Sequence, residues 1–582
     1  MKLSHFFIHR QHIARRIGQA SILFIGIAIA TWVIYATETR QIGLSLFHGY
    51  LIGAAIILVF LLGLLRSEMK NLHNEYHLSF LPPGIGTLRA RKLQGDSRFL
   101  SLLELSTEFK YEKGGLLLGR PLKPHRLFGL ADGVRVGPRD DRHHLTIAGS
   151  RSGKGVAALI PNLIEYPGSA VVTDPKGELA RITAARRGHG GGRVAKGLGQ
   201  DVHIFDPEGM MEGRGHVTSS WNPLAELALN DLGVLDDAKR IATAIIPDPP
   251  GGDGNQKFFI GKARGYLVAL ILHTLEVEDR KDQNLIFIRK LILEGDRELF
   301  DYCEKEARKA GKPNPYANPR ECLLAFMAQA SNYAGNQGNF VSGIALDIVS
   351  MAEETKSGVL SQVEQSTAFL DGHYVAKALS SANFKLDDLK NKPTTIYLCI
   401  RGTSLSGDLK SVLSLFVEMA IVAAERNASR VEHPILFAMD EFYALGHMEV
   451  MDKAIGLVAG FGVKLWPVLQ ELSQLQQLYP KTWKNFLGNC GSIQMFGGFN
   501  NQDTIDYAKQ RLGDKVFITP DGQSVRQALL TDNELLTSYF SRDAGRQLVF
   551  FANKPVAALE LMPHFLYIPK HLYNDEDPSP AN

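Results

Sequence analysis

The chain has 582 residues, 45% of them hydrophobic and 21% charged, with a formal net charge of +3. That length exceeds a single core and predicts two or three domains, and the balance excludes a disordered protein. A charge of +3 excludes a uniformly basic nucleic-acid binder, so any DNA contact must come from a local patch or from repetition around an oligomer.

Two apolar runs follow a short N-terminal tail of residues 1–16. Ile17 to Ala36 carries no charged residue, and Leu44 to Leu65 carries none, only His48. Each is long enough to cross a hydrocarbon core of about 30 Å as a helix. A cleaved signal sequence fits less well, because its apolar stretch spans about 7–15 residues and a second run follows here at once. Lys2, Arg10, Arg15 and Arg16 precede the first run, Arg66 and Lys70 follow the second, and only Arg40 lies in the link. The positive-inside rule then predicts a transmembrane hairpin, spans 17–36 and 44–65, with both chain ends in the cytoplasm.

Beyond the hairpin, short β-rich runs alternate with helical patterns. The expected strands are Leu145–Ala148, Ala170–Thr173, Val202–Phe205, Thr394–Ile400, Ile435–Met439, Val463–Leu469, Ser492–Phe496 and Gln547–Phe551. Most are continuous apolar runs, the pattern of strands covered on both faces, so the fold class is α/β with a largely parallel sheet. Val463–Leu469 is the exception, holding Lys464 and Pro467. Residues 236–389 offer helical runs instead, among them Lys262–Leu275 and Val359–Leu370, and read as a helical insertion. Pro247 to Gly254 reads as a loop near its start, and Arg186 to Arg193 as a basic, glycine-rich loop. Cys303, Cys322, Cys399 and Cys490 show no paired metal spacing and read as idle thiols in a reducing compartment.

The first chemical motif is Gly149-Ser150-Arg151-Ser152-Gly153-Lys154-Gly155-Val156, placed between an expected strand and an expected helix. That is the context of a phosphate-binding loop: small residues let backbone N–H groups wrap phosphates, and the helix start adds partial positive charge. Lys154 would hold the β- and γ-phosphates of ATP. Ala148 stands where the general pattern has its first glycine. Gly155 stands where it has Ser or Thr, so the usual Mg²⁺-binding hydroxyl is missing. The second motif is Ile435 to Glu441, an apolar strand ending in two acids. Asp440 would hold Mg²⁺, and Glu441 would polarise the attacking water. Gln470, ending the next strand, is placed to sense the γ-phosphate.

Together with Val172-Thr-Asp174-Pro-Lys176-Gly-Glu-Leu179, Trp221-Asn-Pro-Leu224, Asp440 to Gly446, Leu469 to Leu475 and Gly488 to Phe496 with Asp503-Thr504, these motifs resemble the TraG/TraD family of type IV secretion coupling proteins. The resemblance covers most of residues 120–570. It implies a RecA-like P-loop NTPase domain, 66–235 and 390–582, with an all-α domain at 236–389, assembled as a hexamer. It also implies a place in a bacterial inner membrane and recruitment of a relaxase–DNA complex or effector proteins to the channel of a type IV secretion system. Asp174 and Lys176 are expected at the same site. Many relatives carry an Arg shortly before the strand that ends in Gln470, where this chain reads Val458-Ala-Gly-Phe-Gly462. Arg401 is then the candidate for a charge supplied by a neighbouring subunit. The short outer turn puts periplasmic contacts in question, and no long acidic tail follows the ATPase fold. A translocase of the FtsK kind and a non-hydrolysing membrane scaffold are the alternatives.

A ring would repeat each basic loop around one axis. Arg181, Arg186, Arg187, Arg193 and Lys196 form the best local cluster for contact with DNA phosphates without sequence preference.

Overall fold

The computed structural model describes residues 97–122, 133–248, 254–330, 337–404, 407, 409–499, 501–518 and 524–575. The expected spans at 17–36 and 44–65, and the basic residues flanking them, lie outside the described residues.

Twelve strands are present among the described residues: β1 (Arg120–Pro121), β2 (His143–Ala148), β3 (Ala170–Thr173), β4 (Asp201–Phe205), β5 (Thr394–Leu398), β6 (Ile435–Met439), β7 (Val463–Leu469), β8 (Cys490–Phe496), β9 (Asp514–Ile518), β10 (Ser524–Ala528), β11 (Arg546–Phe551) and β12 (Ala557–Glu560). Ten of them form one sheet in the order β1-β12-β11-β8-β2-β7-β6-β3-β5-β4, and β9 pairs with β10 as a separate hairpin. From β8 to β4 every neighbouring pair is parallel. β11, β12 and β1 continue the sheet antiparallel beyond β8. All eight expected strands are found. β11 was expected in a largely parallel set and is antiparallel to both neighbours.

Every residue of β2, β3, β5, β6, β7 and β8 is buried. Helices therefore cover both faces, which is why these runs are apolar without alternation. The polar exceptions are satisfied. Lys464 in β7 donates from Nζ to the Asp140 carbonyl at 2.7 Å, and burial holds its pKa below the ordinary lysine value. Beneath the P-loop strand, His144 Nδ1 meets Ser492 Oγ at 2.7 Å. Trp466 Nε1 donates to Thr146 Oγ1 at 2.9 Å, and Thr146 Oγ1 to Gln494 Oε1 at 2.9 Å. Burial pushes His144 down to about 3, so it is neutral at physiological pH. These bonds fix the register of β2 against β7 and β8, hence the height of the loop that follows β2.

Between β4 and β5 the described chain is helical. Its longest helix, Gly254–Val277, packs against Val234–Ile245, Gln337–Ser350 and Glu353–Ser366. It is long and apolar enough to cross a membrane, yet 67% of its apolar window is buried in the protein, so it serves as a core helix. Arg426, at the end of helix Lys410–Arg426, clamps Asp237 of helix Val234–Ile245 through contacts of 2.5 and 2.8 Å. Cys303 and Cys322, distant in sequence, bring their sulfurs to 3.8 Å on helices Arg297–Lys309 and Pro319–Met327.

The basic cluster differs from its expected form. Arg186 and Arg187 are not in a loop; they end helix Glu178–Arg187. Arg187 is fully buried. Its guanidinium donates to the carbonyls of Leu163, Tyr166 and Gly168 at 2.9, 2.9 and 2.6 Å and to Thr395 Oγ1 at 2.5 Å. It ties the helices to the sheet and has no face left for DNA. Arg186 donates to the carbonyls of Ile164 and Lys196.

Candidate functional site

The strand order places β2, β7, β6 and β3 side by side with their carboxyl ends at one edge of the sheet. Ligands of open α/β sheets bind beyond that edge. The groups singled out from the sequence lie in the segments that leave these strands.

The loop after β2 has an irregular backbone. Arg151 and Gly153 both have positive φ, 56° and 88°, and between them the Ser152 N–H closes a turn on the Gly149 carbonyl at 3.2 Å, so the loop folds tightly over the end of β2. Gly149 lies so close to the loop after β8 that an added Cβ would stand 2.5 Å from the Gly498 carbonyl oxygen. A Cβ on Gly155 would meet nothing within 4 Å, so the position that lacks a hydroxyl is open space. Ser152 Oγ is buried and has no hydrogen-bond partner among the described residues, whereas Ser150 and Arg151 are exposed. The helix opens as a wide turn over Gly155–Leu159 and continues as Ile160–Glu165. His564, unforeseen in the sequence, approaches the Val156 carbonyl at 3.3 Å.

Lys154 Nζ lies 2.5 Å from Glu441 Oε1 and 3.2 Å from Asp440 Oδ1. Gln470 Nε2 donates to the other Glu441 oxygen, Oε2, at 3.0 Å. Four residues from three strand ends are thus joined. Glu441 has left-handed backbone angles, φ 53° and ψ 46°. A non-glycine residue held there stores roughly 1–2 kcal/mol, a cost that clusters at functional sites. Two further bonds fix the frame: Thr173 Oγ1 donates to the Asp440 carbonyl at 2.7 Å, and Gln474 Oε1 accepts from the Gln470 N–H at 2.8 Å. Neither was foreseen: the first joins residues 267 apart, and the second is a local bond four residues along the chain.

The charges interlock. Burial alone would lower Lys154, but Asp440 and Glu441 outweigh it and raise its pKa. Burial alone would raise Glu441, but Lys154, Gln470 and the charge of Lys176 hold it below the usual value. Asp440 is raised, because its burial and the Glu441 charge exceed what Lys154 returns. Among the described residues no three His, Cys, Asp or Glu gather as metal ligands. One or two carboxylates beside a phosphate are what Mg²⁺ ordinarily uses.

Asp174 is buried at the end of β3 and accepts from the Ala180 N–H at 2.8 Å. Burial, partly offset by backbone N–H groups, lifts it to about 6. It is a cap for helix Glu178–Arg187. Lys176 is exposed, two residues further on. Arg401 stands apart: β3 and β6 separate β5 from β7. Its N–H donates to Glu208 Oε2 at 2.5 Å, and its guanidinium lies 3.5 Å from Glu208 Oε1.

Comparison with known proteins follows the same lines. A family model described as Type IV secretory system Conjugative DNA transfer matches residues 119–549. The Conjugal transfer protein TraG of Escherichia coli is 26% identical over 347 residues, 57% of this chain and 49% of that protein. Protein VirD4 of Agrobacterium fabrum is 28% identical over 428 residues, 71% of this chain and 57% of that protein. The chain therefore spans about half the length of these curated relatives. Among solved structures, the bacterial conjugative coupling protein TrwBdeltaN70 aligns over 82% of this chain and 95% of its own, with a TM-score of 0.52 and 16% identity. TrwB in complex with the non-hydrolysable ATP analogue ADPNP aligns with a TM-score of 0.51 at 16% identity. At that identity the likeness carries the fold: a mixed α/β body with a large parallel sheet. With three quarters of its length matched by the family model, the chain belongs to the type IV secretory system conjugative DNA transfer family.

Proposed function

We propose that the chain is an ATP-driven coupling motor that brings DNA, attached protein or effector proteins to a type IV secretion channel and powers their transfer across the inner membrane. The observation that carries this reading is the joining of Lys154, Asp440, Glu441 and Gln470 at the carboxyl ends of β2, β6 and β7, beside a loop with phosphate-binding geometry. A scaffold that never hydrolyses nucleotide has no use for a carboxylate held in a strained backbone against both a lysine and a glutamine.

The residues fit ATP and Mg²⁺. Backbone N–H groups of Gly153, Lys154 and Gly155 at the helix start and the Lys154 ammonium bind the phosphates, and Lys154 leaves Glu441 to do so. Asp440 holds the metal, directly or through water. Bound Mg²⁺ neutralises charge on the β- and γ-phosphates. Glu441 orients the attacking water and takes its proton, while Gln470 fixes the carboxylate and reports the γ-phosphate. TrwB structures with ADPNP and with ADP and Mg²⁺ support this assignment by analogy of fold.

In this reading the chain is anchored by spans 17–36 and 44–65, residues 236–389 form the all-α domain, and six copies form a ring. Arg401 lies on an exposed loop at the β5 end, far along the sheet from its own P-loop, and serves the neighbouring subunit's nucleotide. Subunit mixing tests this: Lys154→Ala and Arg401→Ala chains, each inactive alone, should recover part of the ATPase when combined. Full activity in a strictly monomeric protein would sink the ring.

A further inference from the structure

Lys176 is absorbed by none of the roles above. It sits in the tight turn Asp174-Pro175-Lys176-Gly177 that joins β3 to helix Glu178–Arg187. Both ends of that turn are held. On one side Asp174 is buried and caps the helix at the Ala180 N–H. On the other, Gly177 takes φ 65°, and an added Cβ would come within 2.9 Å of Met211 Sδ. Pro175 removes one more degree of freedom.

The turn is also registered to the acid strand. β3 and β6 are parallel neighbours with Thr173 opposite Met439. Thr173 Oγ1 crosses to the Asp440 carbonyl at 2.7 Å. The residues that follow on each strand, Asp174 to Lys176 and Asp440 to Glu441, therefore leave the sheet side by side. The Lys176 charge acts on Glu441. Its side chain is exposed, and no ion pair or hydrogen bond of its ammonium is present among the described residues. Most lysines on a protein surface lie far from any acid pair of this kind. This one is a cation on a turn held at both ends, beside the strand end that carries the acid pair.

We propose that Lys176 is a further catalytic residue: its ammonium, supplied by the same chain, binds the oxygens of the transferred γ-phosphoryl group as charge spreads over them during hydrolysis. The role rests on the ATPase reading above and deepens it. Transition-state charge of this kind is where a well-placed cation contributes most. A lysine is suited to it, as a compact charge on a flexible stem that reaches from a fixed backbone. The assignment also accounts for the segment Val458-Ala-Gly-Phe-Gly462, which carries no basic residue. With a cation supplied from β3, that segment is free to run as an apolar turn into β7. Atoms balance without any new reactant: water attacks the γ-phosphorus, the bond to the β–γ bridging oxygen breaks, ADP leaves, and Glu441 takes the proton from water. Lys176 neither gains nor loses a proton.

The test compares binding of ADP–Mg²⁺ with binding of ADP–Mg²⁺ plus aluminium fluoride, a mimic of the phosphoryl group in flight, by the full-length protein. Lys176→Ala should bind ADP within about threefold of the parent and bind the fluoride complex at least tenfold more weakly. In turnover assays kcat should fall about 100-fold or more with KM for ATP little changed, and Lys176→Arg should recover part of the loss. Because Lys176 is exposed, its replacement should leave the melting temperature within a degree or two of the parent. Parent-like affinity of Lys176→Ala for the fluoride complex would overturn the role of Lys176 alone. Failure of the parent protein to bind either ligand would overturn the ATPase reading, and this role with it.

Discussion

Gln470 donates its side-chain N–H to Glu441 at 3.0 Å, which ties the end of β7 to the end of β6 across the site. Lys154 grips the opposite oxygen of the same carboxylate. Glu441 is therefore held from two sides, and the two holds are separable by mutation. Lys154→Ala should abolish nucleotide binding, measured by fluorescent-nucleotide titration. Glu441→Gln should retain nucleotide and cut turnover about 100- to 10,000-fold, read as phosphate release. Parent-like turnover in Glu441→Gln would remove it as the base.

Gly155 offers an insertion test. Its Cβ direction is open, so Gly155→Ser should fold as the parent does, within about 1 kcal/mol, since the residue lies at a helix start where serine is tolerated. The hydroxyl would stand where many P-loops hold Mg²⁺, so nucleotide binding should need less Mg²⁺. A cation titration of nucleotide affinity reads this directly, and an unchanged midpoint would mean that the hydroxyl does not reach the metal.

Arg187 changes from a DNA contact to a structural cross-link. Arg187→Ala leaves the carbonyls of Leu163 and Tyr166 without this donor, leaves Gly168 only the Gln200 amide at 3.2 Å, and empties a buried volume. A loss of about 3 kcal/mol or more is expected, measurable by thermal or denaturant unfolding. The exposed members of the cluster are Arg193, which pairs with Asp575, and Lys196. Replacing both with alanine should spare stability and flatten the slope of log affinity for DNA against log salt by roughly 2. An unchanged slope would move the DNA path elsewhere, most simply to residues 236–389.

Glu226 carries a pH dependence. It accepts from Trp221 Nε1 at 3.2 Å and from the Leu386 N–H at 3.2 Å. Burial, only partly countered by those two bonds, lifts it to about 7 from 4.5. The folded state thus holds a proton that the unfolded state has lost between these values, and stability must fall as pH rises from about 4.5 to 7. The change is on the order of 2 kcal/mol. Glu226→Gln should erase that part of the slope in denaturant titrations across this window. A slope identical in parent and variant would show that the carboxyl titrates normally.

The membrane hairpin is tested by fusion. A reporter active only in the periplasm should work at residue 39 and fail after residue 70. The reverse pattern would invert the orientation derived from Arg15, Arg16, Arg66 and Lys70.

The parallel heart of the fold was legible because doubly covered strands must be apolar throughout, and runs such as Ile435–Met439 and Ala170–Thr173 match the structure residue for residue. Val463–Leu469 also holds in spite of Lys464 and Pro467, because one carbonyl takes the ammonium and the strand tolerates the missing N–H. β1 is only two residues long, and β12 reads Ala-Ala-Leu-Glu, residues that favour helix over strand. β9 and β10 form their own hairpin; β10 is polar and β9 has only Val516-Phe517-Ile518 as an apolar run, so neither reads as a covered strand of the sheet. At the site, sequence supplied Lys154, Asp440, Glu441 and Gln470 from their positions at strand ends. It could not supply Thr173 or His564, whose partners lie on other elements, and Gln474 was missed because its bond to the Gln470 N–H closes a turn that carries no pattern of its own. Arg187 misled because a guanidinium beside glycines reads as solvated until three carbonyls are seen around it.

β4 and β5 lie side by side in register, Phe205 opposite Leu398, yet residues 206–393 run between them. In folding, that pairing closes a shorter loop than β2 beside β8, where residues 149–489 intervene, or β1 beside β12, where residues 122–556 do. Because closure entropy grows only with the logarithm of length, the penalty is a few kcal/mol in a disordered chain. It shrinks further if the helices condense first and bring Phe205 and Thr394 together. The β4–β5 pair should therefore acquire protection from hydrogen exchange during refolding before the β2–β8 pair, whose pairing waits on the longer loop.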